Sequence, residues 1–283
     1  MIAPASGFER GAFEAGLALL QARYRPGYGG GLFERERYLA GTDTRRLAEL
    51  RAALADPGIR AVFCARGGYG ATRLLTRLAV HVPEGPPKLL VGFSDITALH
   101  LWLQAHGRVS IHGPVLTQLP RLPPATCVRL FELLESARPA PPLTGTATYL
   151  EGVAEGPLLG GNLSVFTRLL GTPYMPALDD AILLLEDQGE RPYRLARRWT
   201  HMQLAGVCAR VRGAWSGLYE RRGAARARRE HRAPLRGRLS DRARGCQRTG
   251  AARRARASRC GCGDSHLSGT RRERSRVSTL LAE

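Results

Sequence analysis

Two stretches of this chain repeat one design, and that design constrains the fold more than any other feature. IRAVFCARGGYGATRLL (59–75) and KLLVGFSDITALHLWLQ (88–104) each run from a short apolar segment, through a glycine-bearing turn, into residues with helical spacing. A bounded apolar run with β-branched residues predicts a buried strand. Strands alternating with helices predict a parallel sheet covered on both faces, the α/β class. Upstream, Ser6 and Glu9 have the spacing of a capping box, with Phe13, Leu17 and Leu20 on one helical face. Leu47, Leu50 and Leu54 repeat that face before Asp56-Pro57-Gly58 ends a second helix.

The chain divides into unlike parts. Residues 1–140 are expected to form the N-terminal α/β domain. Residues 141–160 lie in a Pro-, Gly- and Thr-rich stretch that reads as a linker. Residues 161–206 open a second α/β domain, with a helix in GGNLSVFTRLLG and a strand in AILLLED. From about Val207 the periodicity fades. Residues 208–283 hold 21 Arg, no Lys and six acids, so most of the net charge of +19 sits there. Trp215 and Tyr219 are the only aromatics of that segment. It can be read as a disordered basic tail, as an ordered arginine-rich surface, or as translation out of frame. GC-rich codons read out of frame yield Arg, Ala, Gly and stray Cys, and the second domain stops mid-fold after THMQLAG. The third reading accounts best for both. VSTLLAE (277–283) resembles a return to strand.

Several function classes are disfavoured. No apolar run is long enough to span a bilayer, and the N-terminus has no basic n-region followed by an apolar stretch. A cytoplasmic location, with no membrane partner, is the expectation. Six scattered cysteines, of which only Cys260 and Cys262 are close, do not match zinc-ligand spacing, and neither a metal nor another cofactor is expected. The basic segment lacks Lys and interleaved aromatics, so nucleic acid is not expected as a partner, although a non-enzymatic nucleic-acid binder stays as an alternative.

The turn in VGFSDIT carries the sharpest chemistry. A serine between a buried strand and the helix that follows stands at the carboxyl edge of the sheet, beside free helix N–H groups. Ser94 there can be a nucleophile, with the Asp95 amide as an oxyanion donor. Equally, Ser94 or Asp95 can simply cap the helix. RGGYG (66–70) follows the preceding strand in the same position. It is neither a Walker loop nor G-x-G-x-x-G. It is either a tight turn or a second oxyanion donor through Gly67 or Gly68. Glu186, after the apolar run of AILLLED, is either a strand-end charge or the orienting carboxylate of a triad.

Taken together, IAPAS, ARGGYGATRLL, VGFSDITALHLWL, HGPV, GGNLSVFTRLLGTPYMP and LLLEDQGERPYR, in that order, resemble the LD-carboxypeptidase family of serine peptidases, which includes the microcin-immunity hydrolases. The resemblance implies a metal-free Ser–Glu–His hydrolase that removes a terminal D-amino acid from muropeptides, a muropeptide or other peptide substrate, and a homodimer. It makes Ser94 the nucleophile, Glu186 the carboxylate, and Gly67, Gly68 and Asp95 the oxyanion hole. An amide hydrolase of peptidyl nucleotides is the alternative within the family. The family's late Gly-His-Gly-like stretch has no clean counterpart, so a chain whose C-terminal segment is out of frame is expected to be inactive or barely active. GCGDSHLSG (261–269) offers His266, with Cys262 where histidine is expected. His231 stands among arginines without context, and His201 reads as structural or exposed. His100 reads as a satisfied core or groove residue, and His112 as a cleft-lining one. Ala196 replaces an acid usual in the family.

Overall fold

The computed structural model describes residues 1–78, 86–139, 142–148, 151–219 and 278–279. Two compact units emerge. One comprises 1–142, 154–219 and 275–283, and the other 143–153 and 220–274. The described residues of the second unit, 143–148 and 151–153, have no regular structure.

The first unit is built on two parallel sheets. In the N-terminal sheet, β1 (Ala61–Phe63), β2 (Leu89–Gly92) and β3 (Ser110–His112) pair in the order of the chain. Ile2 bridges to Cys64 at one edge, and Ser278–Thr279 pair with Ile111 and His112 at the other. Alternate residues face opposite sides of a strand. Val62 and Leu90 therefore join one core cluster, while Phe63, Val91 and Ile111 join another. Apolar runs covered on both faces are what a parallel sheet requires. The expected α/β class is what forms.

The flanking helices are α1 (Arg10–Gln21), α2 (Asp43–Ala55), α3 (Thr97–Ala105) and α4 (Pro124–Glu135). Thr42 caps α2 by accepting from the Arg45 amide at 3.1 Å. The capping box expected at Ser6 and Glu9 does not form. Glu9 stands at the N-cap of α1 without a side-chain bond, and the Ser6 hydroxyl is engaged elsewhere, by Tyr69. ATRLLTR forms a 3₁₀ turn, Ala71–Arg77, rather than an α-helix.

The second sheet comprises β4 (Leu158–Asn162), β5 (Ile182–Gln188) and β6 (Gly213–Tyr219), all parallel. Its helices are α5 (Leu163–Leu169), α6 (Pro192–Leu204) and α7 (Val207–Arg210). Two expected boundaries shift. Residues 158–160 belong to β4 rather than to a linker, and regular structure continues past residue 206 to Tyr219. One core cluster runs from Leu90 and Leu99 to Leu159, Phe166 and Leu183. At its centre, α3 is buried on every side from Thr97 to Leu103. A helix apolar all round is a post inside the core, and it fixes the turn that precedes it.

Candidate active site

The turn between β2 and α3 is strained in a specific way. Phe93 is extended, and Ser94 then adopts φ +62° before a 3₁₀ turn, Ser94–Ile96, runs into α3. The left-handed region costs a side chain with a Cβ about 1–3 kcal/mol. Gly92 makes the bend sterically possible, because a Cβ there would stand 2.9 Å from Ile96 Cγ2. The turn carries the half-buried Ser94 past the end of β2, at the carboxyl edge where ligands of parallel sheets bind. The simple cap reading fails. No side-chain bond caps the 3₁₀ turn or α3, and the Asp95 carboxylate accepts instead from the Ala71 amide at 2.7 Å.

The Arg66–Gly70 loop closes one side of the serine. A Cβ on Gly67 would be 3.0 Å from the Phe93 carbonyl oxygen and 3.4 Å from Ser94 Oγ, so its bare backbone lies against the nucleophile candidate. Gly68 has φ +99° and faces Ser6, whose Oγ would be 2.4 Å from an added Cβ. Ser6 Oγ accepts from the Tyr69 amide at 3.0 Å. Gly67 is thus beside Ser94, while Gly68 anchors the loop on the IAPAS segment. Arg46, fully buried, donates to the carbonyls of Pro4 and Gly70 and pairs with Asp43.

Glu186 sits near the end of β5, in register with Asn162 of β4. The Asn162 amide donates to Thr97 Oγ1 at 2.9 Å, tying β4 to the first residue of α3, three positions after Ser94. The next acids along the chain, Asp187 within β5 and Glu190 just beyond it, differ sharply. Asp187 is held by Ser164 Oγ at 2.7 Å and by Arg198 at 3.6 Å, and Glu190 by Arg198 at 2.9 Å. Glu186 has no cation among the described residues, and its Oε1 is buried without a hydrogen bond there. Burial raises its carboxyl to about 7, against a hydrogen bond from Asn162 and with the nearby Asp187 charge. An acceptor left open in a dry site is shaped for a donor such as an imidazole N–H.

The described histidines do not fill that place. His100 contacts Ser110 Oγ at 2.8 Å and the Gly92 carbonyl at 2.7 Å, as a satisfied core residue should. His112 is buried edge-on to Phe93, its Nδ1 unpaired among the described residues. Burial holds both neutral, His100 lowered to about 4 and His112 to about 3. His201 is exposed on α6. His231 and His266 lie outside the described residues. Among the described residues, no group of three or more His, Cys, Asp or Glu could hold a metal, and no helix is long and apolar enough to cross a membrane.

The model of the LD-carboxypeptidase N-terminal domain matches residues 1–113, and that of the LD-carboxypeptidase C-terminal domain matches residues 155–245. A murein tetrapeptide carboxypeptidase of Pseudomonas aeruginosa is 38% identical over 232 residues, covering 76% of this chain and 73% of the relative. The chain belongs to the LD-carboxypeptidase family. A putative carboxypeptidase of a Synechocystis strain is 40% identical over 189 residues, 67% of this chain. The match spans only 62% of that relative's length. The crystal structure of a muramoyltetrapeptide carboxypeptidase from Oxalobacter formigenes superposes with a TM-score of 0.64 at 27% identity, covering 77% of this chain and 76% of that one. The C-terminal domain match runs past Tyr219 into the arginine-rich segment.

Sequence reasoning missed the residues that brace this candidate site. Thr97 and Asn162 join the two sheets, and Arg46 and Ser6 tie down the glycine loop. Only Asn162 carried a legible signal. An Asn before an apolar helical run suggests an N-cap, and its Oδ1 does accept from Val165 N at 3.2 Å.

Proposed function

We propose that this chain is a serine carboxypeptidase that hydrolyses the amide before a terminal D-amino acid of muropeptides. The observation that carries the reading is the left-handed Ser94, raised at the sheet edge with Gly67 packed against it. The names of the Pseudomonas and Oxalobacter relatives, which refer to murein tetrapeptide and muramoyltetrapeptide, support the substrate class.

In this mechanism a histidine takes the Ser94 Oγ proton as the oxygen attacks the amide carbon. The amides of Asp95 and of Gly67 or Gly68 stabilise the oxyanion. Preorganised donors of this kind are worth about 10²–10³ each in rate. The imidazolium then protonates the leaving amine as the C–N bond breaks. Water, deprotonated by the same histidine, releases the acyl group and returns the proton to Ser94. Glu186 holds the imidazole in the required tautomer. His266 is the candidate histidine.

Intact mass spectrometry after treatment with a fluorophosphonate tests the nucleophile without assuming a substrate. One adduct per chain, on the peptide containing Ser94 and lost in Ser94→Ala, is expected. An adduct elsewhere, or labelling unchanged in the variant, refutes the assignment.

A further inference from the structure

Asp95 contributes more to this site than its amide. The residue follows the nucleophile candidate directly, yet it is 3% exposed and its side chain reaches the Ala71 amide. Its Oδ2 accepts from Ala71 N at 2.7 Å, and the Gly70 backbone beside it also favours the charged carboxylate. These groups close the Arg66–Gly70 loop at the end remote from Gly67. The same peptide is gripped from the other side, because buried Arg46 donates to the Gly70 carbonyl at 2.9 Å. Gly70 has φ +134°, and a Cβ there would stand 2.8 Å from Arg46 Nη1. Ser6 holds Tyr69 in between. The loop is therefore pinned at Tyr69 and Gly70, and Gly67, whose carbonyl accepts from the Ser6 amide at 3.2 Å, is the part in contact with Ser94.

We propose that the Asp95 carboxylate is a positioning residue: it bolts the glycine loop to the serine turn and so sets where the loop's amides stand relative to Ser94 Oγ. This rests on the reading of Ser94 as the nucleophile. A carboxylate suits the task because its charge strengthens the bond from the Ala71 amide, whereas an Asn side chain is a neutral acceptor and can turn an NH₂ toward that donor. Because the bolt sits one residue from the nucleophile, a shift of the loop is felt at the oxyanion site with little loss elsewhere.

The test compares the wild-type chain with Asp95→Asn and Asp95→Ala by two readouts. The first is hydrogen exchange in the peptide spanning Arg66–Leu75, with α3 as internal control. The second is the rate of fluorophosphonate addition to Ser94. Exchange in the loop should rise at least tenfold in Asp95→Asn, and further in Asp95→Ala, with α3 unchanged. The labelling rate should fall in the same order, by about 10–100-fold for Asp95→Asn. If loop exchange is unchanged in Asp95→Asn, or rises with no change in labelling rate, the bolt has no role in the reaction and the proposal is overturned. Should Asp95→Ala not fold, Asp95→Asn decides alone. A wild-type chain that labels at Ser94 but releases no D-alanine refutes the substrate reading and leaves the bolt standing. A wild-type chain that does not label refutes the nucleophile reading and overturns the positioning role with it.

Discussion

The strain at Ser94 separates its structural cost from its chemical use. Glycine accepts φ +62° freely, whereas alanine does not. Ser94→Gly should therefore raise stability by about 1 kcal/mol, or about 2–4 °C in thermal midpoint, while Ser94→Ala gives no such gain. Equal midpoints for the two variants in a calorimetric scan would mean the turn is unstrained. Glu186 makes a second prediction at this scale. Burial raises its carboxyl from 4.5 to about 7, so its contribution to stability is fully present below about pH 4.5 and is lost as pH rises through about 7. Asp95, raised by burial to about 6, acts in the same direction. His100 and His112 act oppositely, losing stability as pH falls from 6.5 through about 4 and about 3. The difference between Glu186→Gln and wild type isolates one term. The variant should gain on the order of 1–3 kcal/mol by urea denaturation at pH 8 and nearly nothing at pH 4.5. No dependence of that difference on pH would show that Glu186 has a charge partner at neutral pH.

At the scale of elements, the site depends on how closely β4 approaches its neighbours. Gly161 has φ +127°, and a Cβ there would stand 2.5 Å from Thr97 Oγ1 and 3.0 Å from His112 Nδ1. A Cβ on Gly160 would lie 2.0 Å from the Leu184 carbonyl oxygen. Gly161→Ala should destabilise the chain by about 2–4 kcal/mol and disturb the Asn162–Thr97 hydrogen bond. Unchanged denaturant midpoints would contradict that packing. The same pair of glycines explains what the sequence concealed. IRAVFCA and KLLVGF read correctly as strands, because apolar runs between glycines admit little else. Residues 158–160 read as linker and GGN as the start of a helix, since glycine is a poor strand former, and β4 was hidden by the residues that let it fit. The false capping box at Ser6 has a related cause. Local spacing suggested a cap, but the hydroxyl's partner is Tyr69, 63 residues away. The serine turn was legible as an ambiguity between cap and nucleophile. Setting the cap reading aside needed the direction of the Asp95 side chain, which no spacing encodes.

For the whole molecule, the arginine-rich segment and the triad histidine are one question. The parallel sheets, Ser94, the glycine loop and Glu186 lie within the described residues, while His266 and residues 220–274 lie outside them. We propose His266 as the base. His266→Ala should then slow hydrolysis at least 10³-fold with little change in thermal midpoint, as seen when one member of a catalytic triad is removed. Undiminished turnover in that variant would assign the base elsewhere. The rival reading, that this segment is translated out of frame and lacks the triad histidine, predicts an inactive chain and a frame change on resequencing the coding DNA around codon 207, and a continuous, correct frame there refutes it. The most direct test of the central claim is the release of D-alanine from a muropeptide tetrapeptide by the full chain and by Ser94→Ala. The account predicts release by the wild type and a loss of about 10⁴-fold or more in the variant. Release that persists in the variant, or none from the wild type, would contradict it.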